Sequence, residues 1–206
     1  MRLVGLTGGI GSGKTTALNC FREMGIPCFV SDIEAKKLYD DPIFANEIQS
    51  LMPVYIKNEN GGIDKKKLAD FVFGNKDYLH KLNSIVHPAV RKKFIDWSAR
   101  ILVEFPKTPY VIIESALIFQ TGLDQILDDV IYVYLDKEER IERSMLRDNA
   151  TREEIIARIN NQPSDDEAIM KATYMIFNFE GNPLWKQVEI IDRCLKVSES
   201  KLDFKF

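Results

Sequence analysis

The run Gly8-Gly9-Ile10-Gly11-Ser12-Gly13-Lys14-Thr15 directly follows the apolar stretch Leu3-Val4-Gly5-Leu6 and opens the helical pattern Lys14-Thr15-Thr16-Ala17-Leu18. Strand, glycine-rich turn and helix in that order, with G-x-x-x-x-G-K-[ST] in the turn, is a phosphate-binding loop in the setting its chemistry requires. Gly8, Gly9, Gly11 and Gly13 let successive backbone N–H groups face phosphate oxygens with no Cβ in the way. Lys14 supplies a mobile ammonium for the β- and γ-phosphates, the Thr15 hydroxyl is a ligand for Mg²⁺, and the helix aims its positive end at the anion. Ser12 and Thr16 complete the expected nucleotide-contacting set. The chain is read as a binder of a nucleoside triphosphate, with ATP and Mg²⁺ as the expected cofactors.

At 206 residues the chain can bury one substantial core with smaller excursions, but not two large independent domains. A formal net charge of −3 lacks the basic excess of a general nucleic-acid surface, so no nucleic-acid partner is expected. No apolar run reaches the ~18 residues of a membrane span. The N-terminus enters the first strand at once with no secretory signal. Cys20, Cys28 and Cys194 lack metal-ligand spacing and sit among apolar neighbours, which predicts buried free thiols. Together these features predict a cytoplasmic protein without a membrane partner; they leave its oligomeric state open.

Apolar runs alternate with helical patterns: strands Arg2–Leu6, Pro27–Val30, Tyr110–Glu114, Val130–Leu135 and Tyr174–Asn178, and helices Lys14–Met24, from Ile33, and around Trp185, Val188, Ile191 and Leu195. This is the βαβ alternation of a parallel sheet covered on both faces, with ligand at the carboxyl ends of the strands. Between the second and third strands, Ser31 to Pro109 shows no strand-like alternation and is too long for a simple crossover. It is predicted to form a helical lobe with helices Lys65–Phe73, Tyr78–Val86 and Pro88–Glu104, the last opening on a first-turn proline, and an exposed turn at Asn58–Gly62. A charged stretch from Lys137 to Asp166 carries the capping-box patterns Thr151-x-x-Glu154 and Ser164-x-x-Glu167, as two hinged helices of a lid would.

The residues beside the loop narrow the chemistry. Ser31-Asp32-Ile33-Glu34 ends strand two and opens a helix in capping-box register. A carboxylate at the tip of the strand neighbouring a phosphate loop can hold an acceptor hydroxyl in line and take its proton late. Arg140, Arg143 and Arg147 fall at i, i+3, i+7 on one helical face, with Arg158 in the next helix, where arginines can close over a triphosphate and neutralise transition-state charge. Glu114 ends strand three, where it can hold Mg²⁺ through water or serve as a helix cap or salt-bridge partner. There is no Asn-Lys-x-Asp run to read guanine. On these residues alone, small-molecule phosphoryl transfer leads, and a nucleotide-dependent switch with little chemistry stands open beside it.

Several segments together resemble the dephospho-CoA kinase family: Leu6 through Lys14, the acid followed by alanine in Asp32-Ile33-Glu34-Ala35, Leu82-Asn83-Ser84-Ile85-Val86-His87-Pro88-Ala89-Val90, Arg143-x-x-x-Arg147, and Arg158 through Gln162. The His-Pro segment is the most discriminating. The resemblance implies transfer of the ATP γ-phosphate to the ribose 3′-hydroxyl of dephospho-CoA, a small-molecule partner, in the last step of coenzyme A synthesis. It implies a P-loop NTPase three-layer α/β/α core with a five-stranded parallel sheet, a helical substrate lobe and a lid. It also implies that Asp32 is the catalytic acid and contacts substrate, that Asn83 and His87 lie in the lobe receiving the CoA-like molecule, and that Lys14, Arg143 and Arg147 act on the phosphates. In these terms the chain is one domain, with core segments 1–31, 105–136 and 173–206, the lobe at 32–104 and the lid at 137–172. Three positions depart from the family pattern: Val30 stands where an acid is usual, Gln120 replaces a glutamate, and Thr173 replaces an aspartate.

Overall fold

A computed structural model describes residues 1–160, 162 and 164–197; residues 198–206, expected to end the last core segment, lie outside the described residues. Strands β1 (Arg2–Thr7), β2 (Cys28–Val30), β3 (Tyr110–Glu114), β4 (Asp129–Tyr134) and β5 (Tyr174–Phe177) form one sheet in the order β2-β3-β1-β4-β5. The β1–β3, β1–β4 and β4–β5 pairs are parallel, in registers that place Leu6 beside both Glu114 and Ile131. β1 therefore lies at the centre, where the strand order reverses, and its carboxyl end is where an open α/β sheet binds ligand.

The central strands read as continuous apolar runs because both faces are covered. Val4, Leu6, Tyr110 to Ile113, Ile131, Val133 and Ile176 are all fully buried. Helix α1 (Lys14–Glu23) packs on β1 and on α9 (Leu184–Val197), and α9 also packs on β5. Tyr110 of β3 meets Phe21 of α1 edge-on at 6.4 Å, and its hydroxyl donates to Asp192 of α9 at 2.6 Å. Asp192 in turn pairs with Lys196 at 2.7 Å, so the buried carboxylate is satisfied. At the amino end of the sheet, Arg2 holds Asp129 through its guanidinium, Nε donating at 2.9 Å.

The chain divides into two compact units, Met1–Phe29 with the segment from Ser98 onward, and Val30–Trp97. The second holds α2 (Ser31–Leu38), α3 (Pro42–Leu51), α4 (Lys65–Phe73) and most of α5 (Lys76–Glu104). Outside the named strands it holds a bridge between Lys57 and Ile63 around the Asn58–Gly62 turn. The Asn58 side chain closes that turn by accepting from the N–H groups of Asn60 and Gly62 at 3.0 and 3.1 Å.

Three local expectations are corrected. The proline-separated helices Tyr78–Val86 and Pro88–Glu104 are one helix, with Pro88 inside it. Leu82, Val86, Val90 and Phe94 recur at four-residue spacing and are all buried, so one apolar stripe runs across the proline and outweighs its lost hydrogen bond. Ser31 is a residue of α2 and not its cap, and Glu34 turns instead to Lys37 at 2.5 Å. No two cysteines form a disulfide among the described residues, but Cys20 and Cys28 are half-buried and Cys194 is exposed, because the buried stripe of α9 (Leu184, Val188, Ile191, Leu195) passes it by.

Candidate active site

The phosphate loop spans residues 8–13 between β1 and α1. Gly13 is the N-cap of α1, in the left-handed region at φ 95°, and no side chain caps the helix. No acidic residue occupies its first turn either, so the positive end of α1 is left for an external anion. Lys14 lies across the loop, its Nζ donating to the carbonyls of Gly8 at 2.8 Å and Gly9 at 3.0 Å. Thr15 and Thr16 are exposed in the first turn, while Ser12 is buried. Among the residues that sequence reasoning placed at the phosphates, the loop glycines, Ser12, Lys14, Thr15 and Thr16 are contiguous and share this one turn.

The back of the loop is packed by elements far along the chain. Gly11 sits at φ 77°, and a Cβ there would lie 2.5 Å from the Arg140 carbonyl and 2.6 Å from Ser144 Oγ. A Cβ on Gly9 would overlap the Arg140 guanidinium, and one on Gly13 would overlap the Asn178 amide. Asn178 donates to the Ser12 carbonyl at 2.8 Å, and Gln162 accepts from the Ile10 N–H at 2.8 Å. Ile10 itself packs against Ile141, Ile155 and Ile159. These glycines are therefore required by close approach from α6 (Lys137–Asp148) and the end of β5 as well as by any phosphate.

The arginines expected on one face have separate fates. Arg140 is 4% exposed and pairs at 2.5 Å with Asp165, the first residue of α8 (Asp165–Lys171). Arg143 is held loosely, at 3.4 Å from Glu139 and 3.3 Å from the Asn178 carbonyl. Arg147 is bound by both oxygens of Asp148, at 2.7 and 3.0 Å, and Arg158 of α7 (Arg152–Asn160) takes the same carboxylate at 2.9 Å. These two cations hold the Asp148 carboxyl below its usual range, the bond from Arg147 being the largest cause. The capping box at Thr151 and Glu154 forms in both directions, at 2.9 and 3.3 Å. Ser164 precedes α8 without a side-chain cap bond, so the second box does not form.

Glu114 ends β3 with its backbone beside Leu6, and the next N–H, of Ser115, donates to the Leu6 carbonyl at 3.1 Å. Gln120 lines a recess with Thr7, Gly8, Gly9, Tyr132 and Gln162. Thr173, at the entry to β5, exchanges hydrogen bonds with the Val130 backbone at 2.8 and 3.2 Å, a strand-pairing duty that its hydroxyl serves.

In the Val30–Trp97 unit, Asp32 is exposed in the first turn of α2, two residues beyond β2. Asn83 and His87 lie one turn apart on α5, both partly exposed. Burial lowers the His87 pKa from its ordinary 6.5 and favours the neutral ring. Asn83 and His87 sit five residues and one residue before Pro88, on the helix that the proline does not break.

The dephospho-CoA kinase family model matches residues 2–182. The dephospho-CoA kinase of Bacteroides fragilis strain YCH46 is 35% identical over 188 residues, covering 90% of this chain and 88% of the relative. That of Leptospira interrogans serovar Lai is 38% identical over 178 residues, covering 85% and 84%. A Thermus thermophilus protein of solved structure superposes with a TM-score of 0.77 at 30% identity, covering 98% of this chain and 97% of that one. With an uncapped helix behind a glycine loop, a lysine across its mouth, and relatives matched over most of their length, the chain belongs to the dephospho-CoA kinase family.

Proposed function

We propose that this protein transfers the γ-phosphoryl group of ATP to the ribose 3′-hydroxyl of dephospho-CoA, giving coenzyme A and ADP, in the cytoplasm. The observation that carries the reading is the bare N-terminus of α1 behind the loop, with Lys14 Nζ at 2.8 and 3.0 Å from two loop carbonyls. Those carbonyl contacts keep the ammonium at the place where β- and γ-phosphate oxygens would take them over.

Asp32 orients the acceptor. The hydroxyl oxygen forms the new bond to phosphorus as the bond to the ADP oxygen breaks, and the hydroxyl proton passes to the carboxylate late in the transfer. The exposed first turn of α2 gives Asp32 access to a substrate hydroxyl. The other half of the acceptor is assigned to residues 32–104, with Asn83 and His87 as its contacts; a neutral His87 can donate or accept a hydrogen bond without adding charge.

Residues 137–172 act as the lid. Of Arg143 and Arg147, Arg143 is the readier to reach a phosphate, because its present contacts are long and it is 44% exposed. Arg147 must first leave a two-pronged pairing with Asp148. The oxygen donors at the loop suit a hard cation: Thr15 is exposed beside the helix end, Glu114 stands at the end of β3, and phosphate oxygens complete such sites. Mg²⁺ held there supplies neutralisation of charge on the β/γ oxygens.

Initial rates with Mg-ATP and dephospho-CoA test the proposal, with a panel of nucleosides, nucleotides and sugar acids as competing acceptors. The expected result is transfer to dephospho-CoA in preference to the panel, and a loss of about a hundredfold in kcat for Asp32→Asn at unchanged ATP affinity. Preference for an acceptor lacking the pantetheine arm, or an Asp32→Asn enzyme as fast as the unaltered one, would overturn it.

A further inference from the structure

The lid arginine closest to the loop does not face outward. The Arg140 guanidinium lies against the backbone of Gly9, where even a methyl group would collide with it, and only 4% of the side chain is exposed. Its Nη2 donates to Asp165 Oδ2 at 2.5 Å, and the other Asp165 oxygen accepts from the Tyr132 hydroxyl of β4. The buried Nε has no hydrogen-bond partner. Three residues earlier than Asp165, Gln162 accepts from the N–H of Ile10, the residue after Gly9. Gln162 and Asp165 are thus each tied to the phosphate loop, one through a neutral amide and the other through a buried charge pair with Arg140.

A buried ion pair adds little to stability over apolar residues of similar shape, yet breaking it by removing one partner is strongly destabilising. Its presence here is explained by geometry. The guanidinium occupies the space that a side chain at residue 9 would take, and the carboxylate holds it there. We propose that Arg140, fixed by Asp165, is a positioning residue that sets the shape of the phosphate loop at Gly9 and couples that shape to α8. Arg140 acts on the nucleotide through the loop and makes no contact with it. This rests on the nucleotide-binding reading above. The coupling runs both ways, since two states linked by one contact bias each other equally: an anion in the loop stabilises the docked α8, and loss of the docked α8 loosens the grip on the anion.

Calorimetric titration with ADP, which needs no acceptor, separates positioning from mere support. Asp165→Asn leaves the Arg140 charge buried and unpaired, so both melting temperature and ADP affinity should fall. Arg140→Met combined with Asp165→Asn removes the stranded charge. That double variant should regain the melting temperature of the unaltered protein while its ADP affinity stays about tenfold weaker, within the usual range for coupled sites. Recovery of affinity together with stability would show the pair to be structural only and overturn the proposal. Should the double variant fail to fold, Arg140→Lys decides: it keeps the charge but not the plane, and an ADP affinity equal to that of the unaltered protein overturns the proposal, whereas a drop of about threefold or more at unchanged melting temperature supports it. If the unaltered protein itself binds no ADP, the nucleotide reading fails, an outcome distinct from both.

Discussion

The phosphate loop and the exposed face of α5, proposed to contact the phosphates and the acceptor, are built on opposite rules. The loop is enclosed: Gly9, Gly11 and Gly13 are each closed off by Arg140, Ser144 or Asn178, and Lys14 is held by two carbonyls. The α5 face carries Asn83 and His87, partly open to solvent, on a helix whose regularity comes from the buried stripe on its other side. A site for a highly charged group that changes little in shape rewards rigid backbone. A site for a long, flexible acceptor can be made of side chains on a stable helix, with less demand on the backbone.

Lys14→Ala presses this contrast hardest. It should lower kcat by at least about a hundredfold, the usual scale for removing a preorganised charge donor, with circular dichroism and melting temperature preserved. Retained turnover in initial-rate measurements would contradict the phosphate role.

Next come paired glycine changes. Gly11→Ala forces a side chain into the left-handed region against a backbone carbonyl at 2.5 Å and should destabilise by roughly 2 kcal/mol or more. Gly74→Ala, at the end of α4 with φ −88° and open space around it, should stay within about 0.5 kcal/mol or stabilise slightly. Urea denaturation of both reads the difference, and equal effects would show that the loop backbone is no more constrained than an open helix end.

Pro88→Ala probes the second region. Proline within a helix is intrinsically unfavourable by ~3 kcal/mol, and the buried stripe offsets this without removing it. Replacement should therefore stabilise by about 1 kcal/mol or more, seen as a higher urea midpoint. Destabilisation would mean that the ring itself packs.

The smallest expected effect is on pH dependence. Burial lowers the His87 pKa, so the native state binds fewer protons than the unfolded chain once the pH drops below 6.5. Stability from the neutral ring is complete above that value and declines as pH falls toward the depressed native pKa. His87→Gln should flatten this part of the stability profile between pH 7 and 5, and an unchanged slope would assign it to other groups.

How much of this was legible depended on whether the determining contacts are local. The glycine loop, its flanking strand and helix, and the Thr151–Glu154 cap were readable because each is a contiguous pattern whose partners lie within a few residues. Helix α3 carries a local signal of the same kind, Asp41 accepting from the Ile43 N–H at 2.8 Å with Pro42 in the first turn. Pro88 misled because a proline's local cost is visible in sequence and the buried stripe that outweighs it is a property of the packed unit. The regular spacing of Arg140, Arg143 and Arg147 suggested three equivalent cations, and only packing distinguished a buried one, a loosely held one and a paired one.

The amino-acid sequence by itself determined that a triphosphate-binding turn stands between a buried strand and a helix, and that a strandless, helical stretch is inserted before the third strand. Backbone conformation and hydrophobic period are enough to encode both. The tertiary structure alone decided what presses on the back of that turn. Arg140 comes from 131 positions beyond Gly9 and Asp165 from 25 further on, and nothing in local propensity links them. Their meeting depends on β4 lying beside β1 and β5 beside β4 in the sheet, a choice made by the burial of whole faces rather than by any one segment.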